Sequence, residues 1–212
     1  MRARRDEWIA ANVFDRLVDE ALAGYDRVID IDLAEVAIDG SQHKAPCGGE
    51  GTGKNPADRG KLGWKWSIAT DSFGIPVAWV IDGANRNDSI MIPATLEEIG
   101  ARGLLSDVET LHLDRGYDNN NVRRHVADAG LTDLVCAKRN RKGAQPGIHR
   151  PNTRVPLGLR WPVERTNSWL SNFGQLRRNT DRKLAHRLAR FAIAVVVLLV
   201  AKLIAGRNRW DR

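Results

Sequence analysis

Residues 111–118 read LHLDRGYD, and this stretch decides the fold. Leu111 and Leu113 alternate with His112 as a half-buried strand would, Asp114 closes the alternation, and Arg-Gly turn chemistry follows at once. An aspartate on the C-terminal lip of a strand lies where open α/β sheets place their chemistry. Two other acidic positions answer it. Asp39 follows a short apolar strand at Val36–Ile38, and Glu164 opens a helix just after Trp161 and Pro162. Each alone is also what a turn former or a helix cap looks like. Together, three carboxylates carried by three elements have the form of a site that holds two metal ions for phosphoryl transfer.

Working outward from that stretch, the order of elements is a strand, a β-hairpin, a helix, a strand, a helix and a strand. Asp26–Asp39 reads as a link and a strand. WKWSIATD (64–71) alternates, Ser72–Gly74 turns, and Ile75–Ile81 is an apolar run. Asp88 and Ser89 can cap a helix through Met91–Ala101. Glu109–Asp114 returns as a strand, Asn119–Ala129 is a short helix, and Leu134–Ala137 is one more strand. Before these, residues 6–24 carry Trp8, Ile9, Val13, Phe14, Leu17, Val18, Ala21 and Leu22 at spacings of three and four, an amphipathic helix ended by Gly24. After them, 138–156 is a basic loop without periodicity. Val163, Thr166, Leu170 and Phe173 form the apolar stripe of the helix bearing Glu164, with Asn167, Ser168 and Ser171 on its polar side, and Arg182–Ala205 is a last helix.

The length supports one domain with one core. Cys47 and Cys136 stand alone, without CxxC spacing or a histidine cluster, which excludes a disulfide framework and a zinc site and points to a reducing cytosol. The N-terminus is basic but lacks an apolar core and reads as no signal peptide. Phe191–Ala201 is eleven apolar residues long, short of the roughly 20 that a bilayer requires, so a buried core helix is expected. The net charge of +7 is divided unevenly: from Lys138 onward there are 18 Lys and Arg against three acidic residues, whereas residues 1–137 carry an acidic excess. Such a polycationic third points to a polyanion, and nucleic acid fits it better than lipid. Gly48–Lys54 matches the GxxxxGK phosphate loop, but Asn55 stands where Ser or Thr would bind magnesium, and neither flank reads as the required strand or helix.

The carboxylate order on this succession of elements is that of a ribonuclease-H-like α/β fold, a mixed central sheet flanked by helices. The chain resembles the DDE transposases of bacterial insertion sequences, in the insertion-sequence-five-like branch, through AIDGSQHKA around Asp39, DGANRNDS at Asp82–Ser89, LDRGYD at Asp114 and RWPVERTNSWL around Glu164. Of the late signature Y-x2-R-x3-E-x6-K, Arg160 and Glu164 match, while Leu157 and Ser171 stand at the tyrosine and lysine positions.

The resemblance implies residues 26–206 as the catalytic domain, preceded by an N-terminal helix over 1–25 and followed by a basic tail at 207–212. It implies Asp39, Asp114 and Glu164 as catalytic residues and ligands of two magnesium ions, with manganese able to substitute, Asp39 bridging them. Arg160 is placed to hold a phosphate, and Lys138, Arg139, Arg141, Lys142, Arg177 and Arg178 to line a path for double-stranded DNA, transposon ends and target alike. The implied activity is metal-dependent strand cleavage and strand transfer in the bacterial cytoplasm at the nucleoid, with no membrane and with a homodimer as a possible assembly. Family members usually carry an N-terminal DNA-recognition domain, so the expectation extends to a separate recognition polypeptide. The competing reading is a truncated transposase that occupies DNA as a regulator without cutting it.

Overall fold

The computed structural model describes residues 2–136 and 160–210. Its centre is a six-stranded mixed sheet. Strands β1 (Glu35–Lys44), β3 (Leu62–Thr70) and β4 (Pro76–Gly83) form an antiparallel meander, and the two-residue β2 (Gly53–Lys54) pairs with the start of β3. On the other side of β1, β5 (Thr110–Leu113) and β6 (Asp133–Cys136) run parallel to it, so the main order is β4-β3-β1-β5-β6. An antiparallel meander extended by two parallel strands, with helices on both faces, is the ribonuclease-H-like arrangement expected from the element order.

Eight of the nine residues of β3 are buried, because the sheet is covered on both faces and alternate side chains enter different cores. Trp64, Trp66 and Ile68 enter one core, together with Ala37 of β1 and residues of α2 (Val13–Ile29), α5 (Trp161–Ser171) and α7 (Leu184–Trp210). Ala69 enters the other, with Val36 and Ile38 of β1 and residues of α3 (Asp88–Ala101) and α4 (Asn120–Asp128). The first core is the one that faces the site.

Several boundaries differ from expectation. Instead of one helix over 6–24 there are two, α1 (Arg2–Ala10) and α2, separated where Asn12 takes a left-handed conformation (φ 51°), which asparagine tolerates better than most residues. Helix α2 also runs through Gly24, since its buried face of Phe14, Val18, Leu22 and Tyr25 continues past it, and stops at Asp30 (φ 79°). The cap of α3 is Asn87, whose side chain accepts from the Ser89 amide at 3.0 Å. Strand β1 does not end at Asp39; it continues to Lys44, because its pairing with β3 persists from Gly40 opposite Ser67 to Lys44 opposite Gly63. Helix α7 reaches Trp210, and its stretch over Leu184–Gly206, whose most apolar 18-residue window has a mean hydropathy of 2.5, is long and apolar enough to cross a membrane. One face of it, however, including Phe191, Ala192, Val195 and Leu199, is buried in the first core, the place expected of a core helix.

Candidate active site

The sheet topology itself brings two of the carboxylates together. Parallel pairing of β1 with β5 ends at Ile38 opposite Leu113, and Asp39 and Asp114 are the next residue on each strand. Neighbouring strands lie about 4.8 Å apart, so the two aspartates stand side by side at the lip where β5 stops. Asp114 also caps the 3-10 turn Arg115–Tyr117, its carboxylate accepting from the Arg115 amide. Turning the chain away at once keeps Asp114 half exposed at the sheet edge.

Helix α5 supplies the third carboxylate. Pro162 in its first turn fixes the start, and buried Val163, Thr166, Asn167 and Leu170 seat the helix on the sheet, which leaves Glu164 on the exposed side. Arg160, the residue capping this helix, reaches across the gap. Its Nη1 lies 3.3 Å from Asp114 Oδ1 and its Nη2 donates to Glu164 Oε1 at 3.0 Å. One guanidinium thus ties the strand carboxylate to the helix carboxylate. Asp39 sits deeper. Burial is the main cause lifting its carboxyl to about 6; the charges of Asp114 and Glu164 add to the lift, while the Gly40 amide and the Arg160 guanidinium oppose it.

On the opposite face of β1, at Gly40, a second polar group crowds the strand. A Cβ on Gly40 would meet Asp88 Oδ1 at 2.6 Å, so a larger residue there would displace the Asp88 carboxylate. Asp88 is paired with the ammonium of the fully buried Lys65, which also donates to the Arg86 carbonyl at 2.9 Å. The Tyr117 hydroxyl, buried beside them, is held far above the ordinary phenol range by burial and by the charges of Asp39, Asp88 and Asp114, against an opposing Gly40 amide, and stays protonated.

Three carboxylates offer only hard oxygen donors, the set that suits a divalent cation such as magnesium. Burial lifts Asp39 and repulsion from Asp114 and Glu164 adds to it, and a cation among the three would relieve that repulsion. Among the described residues no three His, Cys, Asp or Glu side chains form a ready-made metal cage, and Arg160 is the cation between Asp114 and Glu164 here. The residues fit the ion in the chemistry of their donors. A cavity of about 970 Å³ lies away from these carboxylates, lined by residues of α2 and α3 such as Asp19, Asp26 and Glu98.

Of the expected DNA contacts, Lys138, Arg139, Arg141 and Lys142 lie outside the described residues. Arg177 and Arg178 end the short helix α6 (Gly174–Arg177) and are exposed. Arg178 is bridged to Lys44 at the end of β1, where the Asn179 amide donates to the Lys44 carbonyl at 2.8 Å. Arg177 lies close enough to His43 for its charge to add to burial, the larger cause, in pushing that imidazole down to about 4. Basic residues therefore continue along β1 beyond Asp39.

The GxxxxGK segment has another use. Glu50 Oε2 accepts from the Leu184 amide at the start of α7 at 2.9 Å, the Glu50 amide donates to the Arg182 carbonyl at 2.8 Å, and buried Arg187 donates to the Gly48 carbonyl at 2.7 Å. The loop clasps the N-terminus of α7, and Lys54 sits in β2 rather than at a helix start. His112, bonded to Glu35, and Asp71, which accepts from the Phe73 and Ile75 amides, are structural.

Sequence reasoning placed Asn167 on a polar side of its helix but assigned it no contact. It is buried, donates from Nδ2 to Asp39 Oδ2 at 3.1 Å, and accepts at Oδ1 from the Trp66 indole at 2.7 Å. A polar residue one turn beyond Glu164, beside the apolar stripe, was the signal available; Trp66 gave none, because tryptophan in a buried strand reads as core.

The family model described as "Transposase DDE domain" matches residues 26–199. A putative transposase for insertion sequence element IS402 of Burkholderia cepacia is 35% identical over 137 residues, which are 62% of this chain and 60% of that protein. This chain therefore spans about three fifths of the length of that curated relative. Among solved structures, the piggyBac transposase in a synaptic complex with hairpin DNA aligns with a TM-score of 0.49 and 10% identity, over 84% of this chain and 49% of that one.

Proposed function

The chain belongs to the DDE transposase family, and from that premise we propose that it cleaves and joins DNA strands for an insertion sequence, with Asp39, Asp114 and Glu164 as its catalytic carboxylates. The observation that carries the reading is their convergence: two aspartates on adjacent parallel strands one residue past a shared pair, and a glutamate drawn to them by Arg160.

Phosphodiester cleavage requires a nucleophile, water or a 3′-hydroxyl, aligned opposite the leaving oxygen, and neutralisation of charge on the phosphate. Two bound magnesium ions, or manganese in their place, would supply activation of the nucleophile and stabilisation of the leaving oxygen. Asp39, Asp114 and Glu164 are the residues that would hold them. Arg160, beside Asp114 and Glu164, is positioned to meet a phosphate oxygen through its fork. Arg177, Arg178 and the basic segment at Lys138–Lys142 would hold the DNA backbone, which positions the duplex without reading its sequence. Transposon ends and target DNA are the proposed substrates, with a second copy and a separate recognition polypeptide as proposed partners in the cytoplasm.

The test is a plasmid-nicking assay with magnesium, manganese or chelator, run for the parent and for Asp114→Asn. Metal-dependent nicking that the substitution removes while DNA binding persists is the expected result. Binding without nicking under every metal condition would overturn the reading in favour of a regulator that only occupies DNA.

A further inference from the structure

Asn167 has an orientation that the structure leaves no freedom to choose. The Trp66 indole N–H can only donate, so the Asn167 atom 2.7 Å from it is the amide oxygen, and the amide nitrogen is thereby turned toward Asp39 Oδ2, 3.1 Å away. Trp66 cannot itself move. It is fully buried, stacked on His43 with ring centroids 3.9 Å apart, and met edge-on by Trp64 at 5.3 Å and Phe191 at 5.1 Å. The indole stands in β3 and Asn167 in α5, so the pair also fixes the helix that bears Glu164 against β3, the strand paired with the one that bears Asp39.

We propose that Trp66 and Asn167 are positioning residues for the proposed metal site: the indole locks the Asn167 amide so that it donates to Asp39 and holds that carboxylate in one rotamer, facing Asp114 and Glu164. The proposal rests on the reading of Asp39 as a metal-binding carboxylate. An oxygen of a carboxylate can accept a hydrogen bond and still bind a cation, so the contact orients the ligand without consuming it. Bonds of this outer kind typically carry 10- to 100-fold in metal affinity. An asparagine left free to rotate would present its oxygen to Asp39 for part of the time and repel it.

The test is manganese binding to the full chain by calorimetry, with nicking as a second readout, for Asn167→Leu, Trp66→Phe and the double variant, each checked for an intact thermal transition. Asn167→Leu keeps the side chain's size and removes the donor, and about a 10- to 100-fold loss of Mn2+ affinity is expected. Trp66→Phe should cost less, since the amide can still reach Asp39. In the Asn167→Leu background it should cost nothing further in metal binding, because its effect passes through Asn167. A Trp66→Phe cost equal in both backgrounds would assign Trp66 to packing alone and overturn the proposal. So would an Asn167→Leu affinity within about threefold of the parent, about 0.7 kcal/mol. If Asn167→Leu does not fold, the Trp66→Phe single variant decides: unchanged Mn2+ affinity overturns the proposal. A parent that binds no Mn2+ would fail the metal-site reading itself, a result distinct from either of these.

Discussion

Asp39 and Asp114 each follow the last paired residue of two adjacent parallel strands, Ile38 opposite Leu113. Their proximity is therefore set by backbone register, not by side-chain contacts, and it survives substitution of either side chain. Asp39→Asn or Asp114→Asn should leave the fold intact and reduce nicking by at least about 10²–10³-fold, the scale of losing one stabiliser of developing charge. DNA affinity should be unchanged or slightly higher, because a negative charge beside the phosphates is gone. A nicking assay paired with a gel shift measures both, and parental activity in either variant would make that aspartate structural.

Arg160 bridges Asp114 and Glu164, a strand and a helix carboxylate, through separate nitrogens. The pairs are partly exposed, so Arg160→Ala should change stability by no more than about 1 kcal/mol. Activity should fall much further, and Arg160→Lys should not restore it, since an ammonium cannot contact two oxygens in the fixed geometry of a fork. Denaturant unfolding and nicking, measured side by side, separate these outcomes. A stability loss matching the activity loss would make Arg160 a structural clamp.

The fold was legible because β1, the β3–β4 hairpin and β5 carry the short alternating or apolar runs of strands, and because Asp114 is followed by turn residues; burial of β3 on both faces was not readable from its alternation. The continuation of β1 past Asp39 was not legible: Gly40, Ser41 and Gln42 have poor strand character, and pairing to the buried WKWSIAT strand overrides it. Gly24 misled for a similar reason, since tertiary burial of α2 outweighs one glycine. In the site, the acidic residues stood out by type, whereas the Asn167 and Trp66 contact joins residues about a hundred positions apart. Nothing local encodes it.

Asp71 should give the protein a pH dependence that its burial explains, against the opposing turn amides. Its Oδ1 accepts from the Phe73 and Ile75 amides at 2.9 and 2.7 Å, but its Oδ2 is buried without a partner, and burial, the largest influence, lifts the carboxyl from 3.8 to about 6. A folded-state value above the unfolded one means that the native protein holds the proton more tightly. Stability from this group is therefore full below about pH 4, declines as pH rises to about 6, and is flat above, a difference on the order of 3 kcal/mol. Asp71→Asn should lack that component, so the parent-to-variant difference in urea unfolding should change between pH 4 and pH 7. A difference constant with pH would show that the Asp71 carboxyl titrates alike in the folded and unfolded chain.

The basic residues beyond Asp39 make a prediction that separates backbone contact from base reading. Lys44 and Arg178 are held side by side by a backbone bridge, and Arg177 lies near His43 on the same stretch of β1. From Asp39 to Lys44 the strand rises about 17 Å, at about 3.4 Å per residue, which is about five base pairs of duplex at 3.4 Å per step. Three cations contacting phosphates release about three counterions, so changing Lys44, Arg177 and Arg178 together to Ala should reduce the slope of log affinity against log salt by about 2.7. The loss should be the same for any DNA sequence, since phosphates carry none. Nicking of duplexes that extend well past five base pairs on that side should weaken, while duplexes ending short of it should be cut equally by parent and variant. A slope that does not change would remove these residues from the DNA path. A loss confined to one sequence would mean that they read bases.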